Sequence, residues 1–204
     1  FVLFGPASVT GPFFEYSDYQ NFIEFKGVYS KLPRGLKDGL MSVKLAFIRF
    51  LYTCGCMIPQ VVFFQILGWV PEHVGSVEFV NEGSLLWRLF FVQVTATAQR
   101  FVYYFTWSFS DAACIASGIS FNGFDKDGNA TWDRIYNVCV WDFEFDPSVP
   151  VKARAWNHQI HLWLKRYIGE RLVEPSQKLD VRNELLTYLV SAWWHGIYPF
   201  YTIL

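Results

Sequence analysis

Two polar side chains in this sequence stand where chemistry would explain them, an imidazole and an amide. Residues 185–204 (LLTYLVSAWWHGIYPFYTIL) carry no Asp, Glu, Lys or Arg, yet they hold His195 near the middle. As one helix they would extend about 30 Å, the depth of a bilayer core, with His195 on the order of 15 Å from either end. An unpartnered polar group at that depth costs several kcal/mol. Two roles justify the cost: a hydrogen bond to a neighbouring helix, or service as a proton acceptor. Histidine suits the second role because its ordinary pKa of about 6.5 keeps the neutral, accepting form populated at physiological pH.

The amide is Asn157, at the start of residues 156–174 (WNHQIHLWLKRYIGERLVE). Apolar or aromatic side chains recur at 156, 160, 163, 164, 167, 168 and 172, which predicts an amphipathic helix, with Pro175 as its stop signal. Trp163 and Tyr167 beside Lys165, Arg166 and Arg171 suit a membrane interface. Lys165 and Arg166 either meet phosphates or form a solvated face. His158 and His161 share a face at i, i+3, but no third metal ligand accompanies them, and they read as structural or surface histidines. An Asn amide and a neutral imidazole meeting in a lipid-embedded cavity supply a hydrogen-bond donor and a proton acceptor for a polarised carbonyl.

The elements that must position the pair are apolar. Hydrophobic residues make up 52% of the 204-residue chain and aromatic residues 20%, against 17% charged, more apolar matter than a soluble core of this size needs. Residues 50–71 carry no formal charge and form the clearest spanning segment, kinked at Pro59, with Arg49 snorkelling at its near end. Residues 85–118 are apolar but broken by Arg88, Arg100 and Asp111, predicting one tilted helix or two short ones, with Tyr103, Tyr104 and Trp107 at headgroup depth. Residues 1–14, with Gly5, Pro6, Gly11 and Pro12, suit a membrane helix turning into a loop.

Residues 119–150 read as irregular structure rich in turn formers. Asp125, Asp127, Gly128 and Asn129 resemble a calcium loop, but Ala130 and Tyr136 stand where Gly and Glu are required, so a turn is expected. Cys54, Cys56, Cys114 and Cys139 lack paired or zinc spacing and read as buried thiols. The net charge of −1 gives no reason to expect nucleic acid. The chain starts at Phe1 and stops in an apolar run, which reads as one membrane domain cut at both ends.

The motifs in order resemble the membrane-bound O-acyltransferase family, and within it the lysophospholipid acyltransferase branch. The resemblance rests on GPFFEYSDY at 11–19, YYFTWSFSDAACIASGISFNGFDKDG at 103–128 and TWDRIYNV at 131–138. WNHQIHLWLKRYIGERL at 156–172 and SAWWHGIYPFY at 191–201 follow in the family's order. It implies an all-α, multi-pass membrane fold with interfacial helices, located in the endoplasmic reticulum. The implied reaction carries a fatty acyl group from acyl-coenzyme A, a co-substrate, to a lysophospholipid hydroxyl, with no resident cofactor and no metal. His195 is then the general base and Asn157 the orienting or oxyanion partner. Trp132, Asp133, Arg134, Trp156, Lys165, Arg166, Trp194 and Gly196 become candidate substrate contacts, with turn or capping roles equally open for 132–134.

Phe200-Tyr201 departs from the branch, which has Gly then Tyr after Trp-His-Gly. The sterol and diacylglycerol branch precedes its Asn with Asp-Trp-Trp, and Arg154-Ala155-Trp156 does not match. Protein-acylating members fit residues 119–138 less well. Outside the family, a transporter or channel with His195 as proton relay or gate, or a soluble helical domain with an aromatic core, remain alternatives.

Overall fold

The structure, a computed structural model, describes residues 12–33, 36–81, 83–174 and 180–196. The readings made on residues 1–11, Pro175, Phe200 and Tyr201 fall outside that set. Among the described residues the fold is all-α, eight α-helices with a single isolated antiparallel bridge.

Helix α1 (Tyr16–Ile23) leads through a 3-10 turn, Gly27–Lys31, to α2 (Leu36–Gln60), which continues as a π-helix over Val61–Ile66. Pro59 lies inside α2. It has no N–H to give to the carbonyl four residues back, and just beyond it the ladder widens, with Leu67 N bonding Val62 O at 3.0 Å. Ser42–Ile66 is the described segment long and apolar enough to cross a membrane, and 17% of its most apolar window is buried by the protein. Phe47, Ile48, Phe50, Leu51 and Ile58 stand exposed along it. Lipid, not protein, is the natural cover for such a face. This candidate segment overlaps the expected residues 50–71 and also contains Lys44 and Arg49. Gly68, at φ +68, follows the π-helix in a conformation that ends it. Arg49 does not simply snorkel: its Nε sits 3.0 Å from the Asp111 carboxylate.

After α3 (Val77–Asn81), α4 (Leu85–Ser117) runs unbroken for 33 residues, about 50 Å at 1.5 Å per residue, packed along α2. Ser84 caps its start by accepting from Trp87 N, and Gly118 ends it at φ +92. The charges expected to break it each find protein. Arg88 donates to Val80 O at 2.9 Å, Arg100 binds Glu144, and Asp111 meets Arg49. Tyr104 and Trp107 are buried, with Trp156 packed on both rings and Glu144 on the Tyr104 hydroxyl.

Residues 119–139 form a compact irregular segment on a small core of Phe14, Tyr29, Cys114, Ile119, Phe121 and Ile135. Tyr29 OH donates to Ile119 O at 2.8 Å, tying residues 90 positions apart. Asp125 accepts from the backbones of Asp127 and Asn129 and closes the expected turn. Of the cysteines, Cys56 and Cys114 are buried, Cys139 is half-buried and Cys54 is exposed, the last against expectation because it lies on the uncovered face of α2.

Then come α5 (Val140–Phe145), α6 (Val149–Ala155), α7 (His158–Tyr167), a 3-10 turn at Gly169–Arg171, and α8 (Val181–His195). Helix α8 starts earlier than expected, because the Asp180 side chain accepts from Asn183 N. It ends at His195, since Gly196 adopts φ +116, a value L side chains rarely take. At 15 residues it extends about 22 Å, and His195 is its last residue, not the midpoint of a spanning helix. Residues 197–204 lie outside the described set.

Candidate active site

Asn157 precedes the first turn of α7 and takes the left-handed conformation, φ 47 and ψ 48. An Asn there ordinarily folds its side-chain oxygen back onto the first free N–H groups of the helix. Here Asn137 does that work. His158 N donates to Asn137 O at 2.8 Å and Gln159 N to Asn137 Oδ1 at 3.1 Å. Asn137 Nδ2 then donates to Asn157 Oδ1 at 2.9 Å, which holds the Asn157 amide through its oxygen. The buried member of α7 is Gln159, not one of the apolar positions. Its amide donates to Tyr136 O at 3.1 Å and so holds the helix against residues 134–137.

Trp156 sits in a nest of rings, with centroids 5.5 Å from Tyr103, 5.9 Å from Tyr104, 4.9 Å from Trp107 and 4.8 Å from Phe143. Beneath it Glu144 accepts from Tyr104 OH at 2.6 Å and from Arg100 at 2.9 and 3.0 Å. Burial opposes the Glu144 charge, but the Arg100 and Tyr104 hydrogen bonds outweigh it and hold the carboxyl below its ordinary pKa. Lys152 Nζ donates to Phe143 O at 2.7 Å and clamps α5 to α6. Sequence reasoning missed Asn137, Glu144 and Arg100. Asn137 lay in the 131–138 motif but carried no signal of its own, and the Arg100–Glu144 pair joins positions 44 apart.

His195, exposed in this chain, ends α8 with its ring 4.9 Å from that of Trp194, itself exposed, as Gly196 turns the chain away. Helix α8 packs on α7 and on the turn after it. The geometry supplies an oriented amide at one helix start and an imidazole at one helix end. Asn157, Trp156, Trp194, His195 and Gly196 all lie outside the walls of the two cavities described next.

The other candidates gather around those cavities. A polar one of about 250 Å³ lies between the residues leading into α1, residues 122–136 and one face of α7. His158, Gln159, Leu162, Trp163 and Arg166 form its α7 wall. Asp133 and Arg134 line it from the loop, with Asn122 donating to Asp133 at 3.0 Å and Arg134 bound to Asp18 at 2.5 Å. Burial opposes the Arg134 charge, yet Asp18 and Tyr29 hold its pKa above the ordinary value. Arg166 meets Glu15 at 3.3 Å. Lys165 is not part of this wall; it is exposed, 3.8 Å from Glu170.

A second cavity, about 510 Å³, is walled by Leu45, Ile48, Tyr52 and Ile115 and shares Asp133 with the first. Trp132 lines it and packs its ring on Phe121 at 5.5 Å. His158 Nδ1 lies 2.9 Å from Arg154 O, so that nitrogen carries the proton, and the ring stacks on Tyr136 at 4.7 Å. Burial, then His158, Lys165 and Arg154, push the His161 pKa below its usual value. No cluster of three metal-ligating side chains occurs among the described residues.

Comparison with known proteins gives this geometry a context. The profile of the membrane-bound O-acyltransferase family matches residues 1–204. The chain is 33% identical to "Lysophospholipid acyltransferase 6" of Drosophila melanogaster, over 95% of this chain and 27% of that protein. It is 32% identical to "Lysophospholipid acyltransferase" of Schizosaccharomyces pombe, over 97% of this chain and 38% of that protein. It is 31% identical to mouse "Membrane-bound glycerophospholipid O-acyltransferase 1", over 95% of this chain and 39% of that protein. The chain spans between about a quarter and two fifths of the length of these relatives.

Proposed function

From a chain that belongs to the membrane-bound O-acyltransferase family, we infer the catalytic portion of an enzyme that moves a fatty acyl group from acyl-coenzyme A to the free hydroxyl of a lysophospholipid. Relatives named as lysophospholipid and glycerophospholipid acyltransferases favour that acceptor. The observation that carries the reading is the Asn157 amide, held through its oxygen by the hydrogen bond from Asn137. A donor fixed before substrate arrives is what a developing oxyanion requires.

His195 accepts the hydroxyl proton as the oxygen attacks the thioester carbonyl, because an alcohol is too weak an acid to ionise beforehand. The new C–O bond forms, negative charge gathers on the carbonyl oxygen facing the Asn157 donor, and the C–S bond then breaks. His195 returns its proton to the departing thiolate, giving coenzyme A. Direct transfer requires no covalent enzyme intermediate. The endoplasmic reticulum is the proposed membrane, where phospholipid remodelling of this kind would act.

The test is turnover by the purified full-length enzyme, with radiolabelled oleoyl-coenzyme A, a panel of lysolipids and a thiol readout for coenzyme A release. Phospholipid product with stoichiometric thiol is expected. Hydrolysis without acyl transfer, or ion flux in vesicles with no thiol released, would overturn the assignment.

A further inference from the structure

We propose that His158 gives this chain a second activity, hydrolysis of acyl-coenzyme A to fatty acid and coenzyme A when no lysophospholipid is bound. The proposal rests on the acyl-transfer reading for the identity of the thioester and for Asn157 as its oxyanion donor.

The imidazole is arranged as a base. His158 opens α7 directly after Asn157, and its half-buried side chain forms part of the wall of the 250 Å³ cavity. Nδ1 donates to Arg154 O at 2.9 Å, which leaves the lone pair of the neutral ring on Nε2. Nε2 has no hydrogen-bond partner among the described residues and is not sealed from solvent. Three contacts hold the residue: the Arg154 carbonyl, the Tyr136 ring stacked at 4.7 Å with planes 11° apart, and Asn137 O, which accepts from His158 N at 2.8 Å. A ring tied at one nitrogen and open at the other is what proton abstraction from a small nucleophile needs.

The cavity supplies that nucleophile. Glu15, Asp18, Asp133, Arg134 and Arg166 line it, which suits water and not hydrocarbon. Its volume is room for about eight water molecules at roughly 30 Å³ each. The charges there also favour a protonated ring. Arg134 is bound to Asp18 and Arg166 to Glu15, whereas Asp133 is hydrogen-bonded to the neutral amide of Asn122. The Asp133 charge is thus left to stabilise an imidazolium in the same cavity.

In the reaction, a cavity water attacks the thioester carbonyl while His158 Nε2 takes one of its protons. The new C–O bond forms, negative charge gathers on the carbonyl oxygen facing Asn157, and the C–S bond then breaks. The imidazolium returns its proton to the departing thiolate, so one water and one thioester become one fatty acid and one thiol. With a lysophospholipid bound, its positioned hydroxyl attacks the same carbonyl with His195 as base, and the water path loses the competition.

The experiment gives full-length enzyme in maltoside detergent oleoyl-coenzyme A in oxygen-18 water, without lysolipid, and follows thiol and oleate. The two products should appear in equal amounts, with solvent oxygen in the oleate carboxylate. His158→Gln, whose amide can still donate to Arg154 O, and His158→Phe, which keeps a ring on Tyr136, should each lower that rate by about 10²-fold or more, the usual share of a positioned general base. With lysolipid present, both variants should transfer acyl groups at close to the wild-type rate. Thiol release that is absent without lysolipid, or equal in wild type and both variants, overturns the proposal. Equal losses of hydrolysis and transfer in both variants make His158 a support for the fold and overturn it as well. His158-dependent hydrolysis in an enzyme that transfers to no lysolipid supports the proposal and overturns the acyl-transfer reading.

Discussion

The two halves of the proposed centre are held in different ways. Asn157 is built in from all sides. Asn137 fixes its amide and caps α7 in its place, Gln159 anchors the next turn, and Trp156 fills a nest of four rings over the Arg100–Glu144 pair. His195 ends a helix on which Val181, Leu185, Tyr188 and Trp193 remain exposed. One half is preorganised by the fold, and the other is placed by a helix terminus. A donor is useful only if it is fixed before the charge develops, whereas a base needs a lone pair within reach at the moment of attack. The two residues should therefore fail differently when altered.

The largest effect is expected at the base. His195→Ala in correctly inserted enzyme should lower kcat by about 10²- to 10⁴-fold, the usual contribution of a positioned general base, with little change in thermal stability because the side chain is exposed. Wild-type turnover in that variant would remove His195 from the mechanism. Asn157→Ala should cost about 10²- to 10³-fold, as loss of one oxyanion donor does. Unlike the base variant, it should also lower stability: an alanine at φ 47 is strained by roughly 1 kcal/mol, and Asn137 loses the acceptor for its amide. Equal stability in the two variants would erase the contrast between the halves.

Asn137 sharpens the same comparison at a smaller scale. It is a positioning residue, and Asn137→Ala leaves Asn157 free to cap its own helix. The expected outcome is a fall in kcat of about tenfold with KM little changed, because a swung amide loses transition-state contact but not substrate affinity. A purely structural role would instead lower the amount of folded enzyme and leave kcat per folded molecule unaltered.

The pattern of what the sequence disclosed follows from the range of the interactions. The all-α character, the amphipathic α7, the turn at Asp125 and the pairing of Asn157 with a helix start were legible, because periodicity and turn chemistry act over a few residues. The borders of the membrane segment were not. The uncharged run 50–71 pointed to a segment starting after Arg49, whereas the helix begins at Leu36 and Arg49 meets Asp111 on α4, a partner distant in sequence. The same reason hid Glu144, whose partners Arg100 and Tyr104 are distant in sequence. His195 was misplaced because an apolar run conceals a stop, and the stop is one glycine at φ +116. The lone Asn137 carried no sequence pattern at all, since its role exists only once residues 137 and 157 are adjacent.

Acid exposure should separate the halves with the smallest effect. The Glu144 carboxyl lies below its ordinary value in the folded chain, so the folded state holds its charge more firmly than the unfolded state does. Stability from that ionisation is complete above the unfolded value of about 4.5 and disappears as pH falls through the lowered folded value. Below that window Arg100 loses its counter-ion and Tyr104 loses a charged acceptor, which loosens the rings around Trp156. Tryptophan fluorescence should therefore report a transition below about pH 4.5 that Glu144→Gln abolishes, while His195→Ala leaves it in place. A transition equally present in Glu144→Gln would mean that the nest is held by ring packing alone, and that the Asn157 half owes its rigidity to Asn137 and not to the ion pair beneath.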